Sequence, residues 1–342
     1  MNSITVCVIG PYKSGKTTLV GKLQQRKGME GDVSFYFLRY NGKDITLLDT
    51  PGDMDTPALI ASSLSVSNAV LFCISPDTGI NFQVGELLIL ADTFGIDKGI
   101  ICLTKTDMVA KEEIESLRGK ILSLIKGTSL EHLDIMDVNM NDDQKIADIR
   151  AKLSEIPYES DRLNRPAKVT IDHAFESRGM SIAVGTLVNG KVSIHDNLMI
   201  TPAPFTKEIS VNSMQINQEE VQTAEAGDRV GIGIKGVWPW DLPRGVELRA
   251  KDSYRDLKEG KMKISINKLY KYEIKEASRL TMICNWQEVP IILSNVNKQG
   301  NQIIADFSAE KNFVFDSSDK LLLINKDLPI RVLRIVGKAE VI

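Results

Sequence analysis

The sequence predicts an α/β domain followed by two small β-barrel domains. Three observations lead there. Up to about residue 157, apolar runs of strand length alternate with stretches of helical period, the pattern of a doubly wound sheet. From Ala167 onward, short β-branched runs are punctuated by Gly, Asn-Gly and Asp, as in sandwich or barrel modules. The length of 342 residues is too great for one ordinary domain. The expected limits are 1–160 for the α/β domain, 165–250 for the first barrel and 251–342 for the second.

The elements follow in order. A first strand is read at Ile4–Ile9, and "TLVGKLQQ" supplies the next helix. Phe35–Tyr40 and Ile45–Leu48 form a hairpin around Asn41-Gly42, because that dipeptide adopts the positive φ values of a two-residue turn. Further strands are expected at Ala69–Ile74, Gly99–Leu103 and Leu133–Val138. Helices lie between them at "NFQVGELLILADTFG" and "KEEIESLRGKILSLIKG". The stripe Leu87, Leu88, Leu90 and Phe94 reads as core packing against the sheet. A last helix, "DDQKIADIRAKLSEI", stops at Pro157, and the polar "YESDRLNRP" reads as a linker. The strands of the barrels lie in "GTLVNGKVSIHDNLMI", "AEAGDRVGIGIKGV" and "NVNKQGNQIIADF", with the break between barrels near Glu247–Tyr254.

Composition narrows the function classes. With 43% hydrophobic and 25% charged residues the chain is globular, and a net charge of -3 gives no global pull toward nucleic acid. Any RNA contact must then be local. The segment Lys251–Arg279 holds nine Lys/Arg against five Asp/Glu and suits either a stem backbone or an ordinary mixed-charge surface. Trp238 and Trp240 suit either stacking on a terminal base or packing around a barrel turn. Cys7, Cys73 and Cys102 sit in apolar runs and Cys284 stands apart, which reads as buried thiols in a reducing compartment. The chain opens directly into a strand and has no long apolar run, so neither a signal peptide nor a membrane span is expected. His132 and His195 have no partners at ligand spacing.

Three short motifs carry the chemistry. "VIGPYKSGKTT" places Gly10, Lys13, Ser14, Gly15, Lys16, Thr17 and Thr18 in a G-x-x-x-x-G-K-[ST] loop between a strand and a helix. Its glycines let backbone N–H groups wrap phosphates, Lys16 neutralises the outer two, and the Thr17 hydroxyl holds Mg²⁺. "DTPG" offers Asp49 as a water-bridged Mg²⁺ partner and the Gly52 N–H as a sensor of the terminal phosphate. "LTKTD" offers Thr104, Lys105 and Asp107 after a buried strand. A carboxylate at Asp107 accepts both N1–H and N2–H₂ of guanine, a pair adenine lacks, while the Lys105 stem lies over the ring. GTP or GDP with Mg²⁺ is therefore the expected ligand. Asn139, at the end of the following strand, marks where a further base contact would fall.

These motifs, in this order and with the sequence between them, resemble the translational GTPases of the EF-Tu and SelB type. The segments "VTIDHAFESRGMSIAVGTLVNGKVSIHDNLMI", "AEAGDRVGIGIKGVWPWDLPRGVELRA" and "PIRVLRIVGKAEVI" look like that family's second and third domains, so the resemblance covers nearly the whole chain. It is nearest to the archaeal SelB-like elongation factors proposed to serve pyrrolysyl-tRNA. It implies an α/β P-loop GTP-binding domain with two β-barrels, a cytoplasmic monomer, and an aminoacyl-tRNA carried to the ribosome. Neither DNA nor a membrane is an expected partner.

The chain departs from the family in three places. There is no Thr between Thr18 and Thr46 to serve as the family's Mg²⁺-binding switch threonine, and only Ser34 could substitute. "RKGMEGDV" is short for a switch segment. Asp53 stands where the family has its water-orienting histidine, and Lys13 where it has an Asp. Slow GTP hydrolysis is expected, with Asp53 as the replaced catalytic position. A catalytically silent GTP-binding regulator of tRNA or of a translation partner is the alternative, and an ATP-using enzyme a third reading. By the same resemblance, Asp172, His173 and Arg229 are candidates for an aminoacyl pocket that prefers an anion. A buried polar pair of structural purpose explains them equally well. The end of the chain at Ile342 leads to the expectation that no recoding domain follows.

Overall fold

The computed structural model describes residues 2–28, 31–53, 55–158, 160–202 and 205–342. Positions 29 and 30 of the expected short switch segment, position 54 and linker residue 159 lie outside the described residues. The chain divides into two compact units, residues 1–158 with 330–332, and 159–329 with 333–342.

The first unit is built on β1 (Asn2–Ile9), β2 (Arg26–Lys27), β3 (Ser34–Tyr40), β4 (Lys43–Asp49), β5 (Ala69–Ile74), β6 (Gly99–Leu103) and β7 (Asp134–Asp137). Its helices are α1 (Lys16–Leu23), α2 (Pro57–Ser65), α3 (Phe82–Thr93), α4 (Lys111–Ile125) and α5 (Asp143–Glu155). Among the described residues the sheet order is β2-β3-β4-β1-β5-β6-β7, parallel from β4 through β7. Strand β3 runs antiparallel to β4, across a turn in which Asn41 (φ 50) and Gly42 (φ 75) both take positive φ. That is the hairpin the dipeptide predicts. The register pairs Val8 with Asp49, Ile9 with Phe72 and Ile74 with Leu103. The carboxyl ends of β1, β4, β5 and β6 therefore finish along one edge, where an open α/β sheet offers its crevice.

Both faces of this sheet are covered, so its central strands are mostly apolar, with Ser3 and Thr5 of β1 as buried exceptions. Ile4, Val6, Val8, Leu71, Cys73, Ile100 and Cys102 share a core with Leu19 and Leu23 of α1 and Ile146, Ile149 and Leu153 of α5. All four cysteines are buried and unpaired. The sequence reading singles out no helix at α2. Nearly every residue from Pro57 to Leu64 is buried, Ser62 and Ser63 included, so no amphipathic period marks it; Pro at its start is the surviving signal.

The second unit contains two β modules. The first comprises β8 (Lys168–Ser177), β9 (Met180–Asn189), β10 (Lys191–Ser193), β11 (Asn197–Thr201), β12 (Lys207–Ser210), β13 (Ser213–Ile216), β14 (Glu219–Glu220), β15 (Thr223–Glu225), β16 (Arg229–Ile234) and β17 (Glu247–Arg249). Among the described residues its main sheet runs β12-β11-β17-β8-β9-β16-β13-β14, with a separate β10-β15 ribbon. The second comprises β18 (Arg255–Ile266), β19 (Arg279–Cys284), β20 (Gln287–Gln299), β21 (Gln302–Phe315), β22 (Leu321–Ile324) and β23 (Ile335–Val341). It closes into a barrel when β23 pairs with β18, Val341 opposite Met262. Glu247–Arg249, expected near the break, is instead a strand between β8 and β11, and the chain passes to the barrel only after Ala250.

A buried ion cluster joins the two modules. Lys168 Nζ lies 2.9 Å from Asp316 Oδ2 and 2.7 Å from Asp319 Oδ1. Arg249 binds Glu247, Asp316 Oδ2 at 2.7 Å and Asp319 Oδ2 at 2.9 Å. Asn285 Nδ2 donates to Glu247 Oε1 at 2.8 Å and to Asp319 Oδ1 at 3.0 Å. Burial works against the charged form of all three carboxylates. The cations nonetheless hold Asp316 and Asp319 below the usual carboxylate range, whereas burial leaves Glu247 above it.

Two outcomes are expected. Lys168→Met should destabilise the second unit by about 3–5 kcal/mol in urea unfolding, because it strands a buried carboxylate rather than removing a balanced pair. Asp316 and Asp319 have depressed folded-state pKa values, so their stabilisation is present above the ordinary carboxylate range and lost as pH falls through the folded values. Glu247 acts in the opposite sense but is one group against two. The unfolding midpoint of the parent should therefore fall steeply below about pH 4, and less steeply in Lys168→Met.

Candidate nucleotide site

The loop from β1 to α1 turns on glycine. Gly10 (φ 156) sits so close to β5 that a Cβ would lie 2.3 Å from the Cys73 carbonyl oxygen. Gly15 (φ 84) occupies the N-cap of α1 without a side-chain cap. The first N–H groups of that helix are therefore left for a ligand, with the positive end of its dipole behind them. Lys16 folds back beneath the loop, and its Nζ donates to Gly10 O at 2.7 Å and Pro11 O at 3.0 Å. Burial pushes its ammonium below the ordinary value, while the nearby Cys73, Asp49 and Asp53 pull the other way. Lys13 also takes a positive φ (61) and places its Nζ 5.4 Å from the ring centre of Tyr12.

At the end of β4, Asp49 Oδ2 accepts from the Thr17 hydroxyl at 2.7 Å. Its other oxygen, Oδ1, is buried with no hydrogen-bond partner. Burial raises the Asp49 pKa, opposed by the Thr17 hydrogen bond and by Lys16. A half-satisfied carboxylate beside a hydroxyl is a hard-oxygen donor set that fits Mg²⁺, a metal that takes few protein ligands and completes its shell with water and phosphate. Accordingly, no group of three or more His, Cys, Asp or Glu side chains suited to a metal occurs among the described residues.

Gly52 follows. A Cβ there would lie 2.7 Å from Lys16 Nζ and 2.9 Å from Tyr12 Cα, so only glycine lets this turn approach the phosphate loop. Gln83, buried at the start of α3, donates from Nε2 to Gly52 O at 2.7 Å. The Asp53 side chain is exposed, and its backbone carbonyl accepts from Thr56 Oγ1 at 3.2 Å.

Most of these groups line a cavity of about 780 Å³. Its walls include Lys13–Thr18, Asp49, Gly52, Asp53 and Lys105, and also Tyr12, Asp32, Ser34 and Tyr36. Gly10, Thr104, Asp107 and Asn139 are not in its wall. Thr104 is fully buried and gives its hydroxyl proton to Ser14 O at 2.6 Å, tying the β6 loop to the phosphate loop. Lys105 (φ 54) bonds Asp77 at 2.8 Å, and Asp107 lies exposed on a short 3-10 turn over Thr106–Met108. Asn139 accepts from Asn141 N at 2.9 Å. Sequence reasoning misses Asp77 and Gln83, because each acts through another residue. The only signal was their position, Asp77 in "SPDTG" just past a buried strand and Gln83 at a helix start.

In the first β module, Asp172 and Arg229 form a buried bidentate pair at 2.6 and 2.8 Å. His173 does not share that burial. The β8–β9 register shifts at Asp172, and His173 faces outward, 6.0 Å from the ring centre of Phe175. The three candidates thus divide into a closed pair and an exposed ring. Trp238 and Trp240 are 55% and 70% exposed and stack on each other at 4.9 Å, so they are not packing residues.

The class defined by these features is a P-loop GTP-binding domain carrying β-barrel modules. The profile of the elongation factor Tu GTP binding domain matches residues 24–158, and that of domain III of the archaeal selenocysteine-specific elongation factor matches residues 254–342. The selenocysteine-specific elongation factor of Methanocaldococcus jannaschii is 29% identical over 100% of this chain and 80% of its own length. An uncharacterized protein of the same archaeon is 28% identical, across 99% of this chain and 100% of that one. The elongation factor SelB of Methanococcus maripaludis, solved with the GTP analogue GppNHp, superposes with a TM-score of 0.87 at 26% identity, over 99% of this chain and 78% of that one. By these matches the chain resembles the translational GTPases of the EF-Tu and SelB type, on the SelB-like side of that group.

Gly52→Ala should weaken GTP binding by at least about tenfold, roughly 1.4 kcal/mol, since the added methyl meets the Tyr12 backbone as well as the Lys16 ammonium. Titration of a fluorescent guanine nucleotide checks this. An alanine variant with parental affinity would mean that the turn withdraws when nucleotide binds.

Proposed function

We propose that the protein is a SelB-like elongation factor that binds GTP with Mg²⁺ and carries an aminoacyl-tRNA to the ribosome. It acts as a monomer in the cytoplasm and hydrolyses GTP slowly. The α/β domain (1–160) is the nucleotide-binding part, and the barrels (165–250 and 251–342) are the tRNA-binding part. The observation that carries the reading is the meeting of Lys16, the Thr17–Asp49 pair, Gly52 and Lys105 around one cavity. Lys16 and the amides of Ser14–Thr18 hold the phosphates, Thr17 and Asp49 hold the metal, and Lys105 and Asp107 hold the base. Bound there, Mg²⁺ supplies charge neutralisation for the phosphates.

Slow hydrolysis rests on Asp53 and on the missing threonine. Phosphoryl transfer to water needs the nucleophile placed in line and the equatorial charge neutralised. Lys16 and Gly52 serve the second need. For the first, the chain offers an exposed carboxylate at Asp53 and no Thr between Thr18 and Thr46. An ionised Asp53 repels the terminal phosphate by about 1–4 kcal/mol, depending on burial. The same observations favour a second reading, a GTP-binding regulator of tRNA or of a translation partner with no turnover. Intact GTP and tRNA binding without ribosome-stimulated hydrolysis would select it. The aminoacyl group is named only as a class, because Arg229 is already engaged by Asp172.

Two measurements test the reading. Asp107→Asn should cost about 2–3 kcal/mol in GTP affinity and shift preference toward xanthine nucleotides. Equal GTP affinity in variant and parent would remove Asp107 from the base site. In single-turnover hydrolysis with and without ribosomes, Asp53→His should raise the rate without tightening GTP by more than the repulsion above. Loss of activity in Asp53→Ala would instead make Asp53 the group that positions water.

A further inference from the structure

We infer that Asp77 is a positioning residue for the base side of the cavity, holding the Lys105 side chain where its methylene stem can cover a purine ring. The inference rests on the GTP reading above. It starts from the backbone. Lys105 takes φ 54, a left-handed conformation unfavourable for a residue with a Cβ, directly after Thr104, which is bonded to Ser14 O at 2.6 Å. The backbone of Lys105 is thus fixed against the phosphate loop, while its side chain has four methylenes still to order. The Nζ finds Asp77 Oδ2 at 2.8 Å, from the loop after β5, the parallel neighbour of β6.

Asp77 is itself held. The Ser75 hydroxyl donates to Asp77 Oδ1, and the Thr78 backbone N–H also bonds its carboxylate. The turn around it closes through Thr78 N to Ser75 O at 3.2 Å and Gly79 N to Ser75 O at 3.0 Å, with Gly79 at φ 56. Hydrogen bonding from Lys105 and Ser75 keeps the carboxyl below the usual range, so it stays ionised under ordinary conditions.

Stability does not account for such an arrangement. The pair is 27% and 48% exposed, and exposed ion pairs contribute little to folding. Its consequence falls on binding. With the ammonium engaged by Asp77, the long side chain is ordered before nucleotide arrives, and the ordering cost is removed from the binding step. Lys105 also lines the cavity, whereas Asp77 does not, so Asp77 can act on a ligand only through Lys105.

The test uses the full chain and displacement of a fluorescent GDP by GTP, ATP and inorganic tripolyphosphate, which probes the phosphate half alone. Asp77→Asn keeps acceptors for Ser75 and Thr78 but removes the charge, and Asp77→Ala removes both. Each should weaken GTP roughly three- to tenfold while tripolyphosphate stays within about twofold of parent. Asp77→Glu should recover part of the loss. Combined with Lys105→Ala, Asp77→Ala should add nothing further. Parental GTP affinity in both Asp77→Asn and Asp77→Ala would overturn the inference. So would a matching loss for tripolyphosphate, or losses that simply add in the double variant. A parent that binds ATP as well as GTP would instead remove the guanine reading, before any variant is compared.

Discussion

The nucleotide site is organised by one buried cation. Lys16 is only 6% exposed, and its Nζ has two neutral carbonyl oxygens, those of Gly10 and Pro11, as bonded acceptors. Two dipoles do not replace the hydration of an ammonium, which is why burial drives its pKa down. The carboxylate of Asp49 is in the complementary condition, raised by burial and left with one oxygen unpartnered. The tight geometry around them follows. Gly10 must lack a Cβ for its carbonyl to reach Lys16 beside Cys73, and Gly52 must lack one to pass Lys16 and Tyr12. An anion and a hard cation entering together would complete both groups at once.

The second unit treats buried charge differently. Lys168, Arg249, Glu247, Asp316 and Asp319 are bonded to one another and to Asn285, so two cations and three carboxylates all find partners within the protein. The Asp172–Arg229 pair is closed in the same way, with two bonds between its members. Here a distinction separates structural from functional charge: a structural pair exhausts its partners, and a ligand site leaves some unmet. By that criterion the cavity of the first unit is a site, while the Asp172–Arg229 pair is a clamp between β8 and β16 until something displaces one partner. Trp238 and Trp240 mark the opposite case, apolar surface left exposed rather than charge left buried.

Much of this was legible in the sequence because the features are local. Asn41-Gly42, the alternation of apolar runs and helical stretches, and the loop from Gly10 to Thr18 each fix backbone conformation within a few residues. What was not legible depends on tertiary partners. Helix α2 has no amphipathic face because it is buried on nearly all sides. The strand at Glu247–Arg249 falls within the stretch read as the break between barrels, and its charges are explained only where they meet Lys168, Asp316 and Asp319. Thr104 reads in the sequence only as part of "LTKTD" after a buried strand. In the fold, one hydroxyl suffices for the bond it makes, a 2.6 Å contact to Ser14 O that holds the base loop against the phosphate loop. Asp77 and Gln83 carried no motif at all, since each touches another site residue rather than the cavity.

That last pattern bears on whether binding and hydrolysis can part company. The residues assigned to binding are anchored through main chain or burial: Lys16 by two carbonyls, Thr104 by Ser14, Gly52 by Gln83. Changing any of them disturbs the loop geometry as well as the ligand. Asp53 is tied by its carbonyl to Thr56, and its carboxylate is exposed. The fold therefore places almost no demand on that side chain. A water-positioning group at this site is free to be exchanged for a carboxylate while the phosphate loop, the metal pair and the base loop stay intact. On the proposed reading, the chain keeps a guanine-nucleotide pocket that folding itself protects, and holds its catalytic position where folding protects nothing. On that reading, loss or slowing of turnover is the change that disturbs this architecture least, and a GTP-bound form would persist.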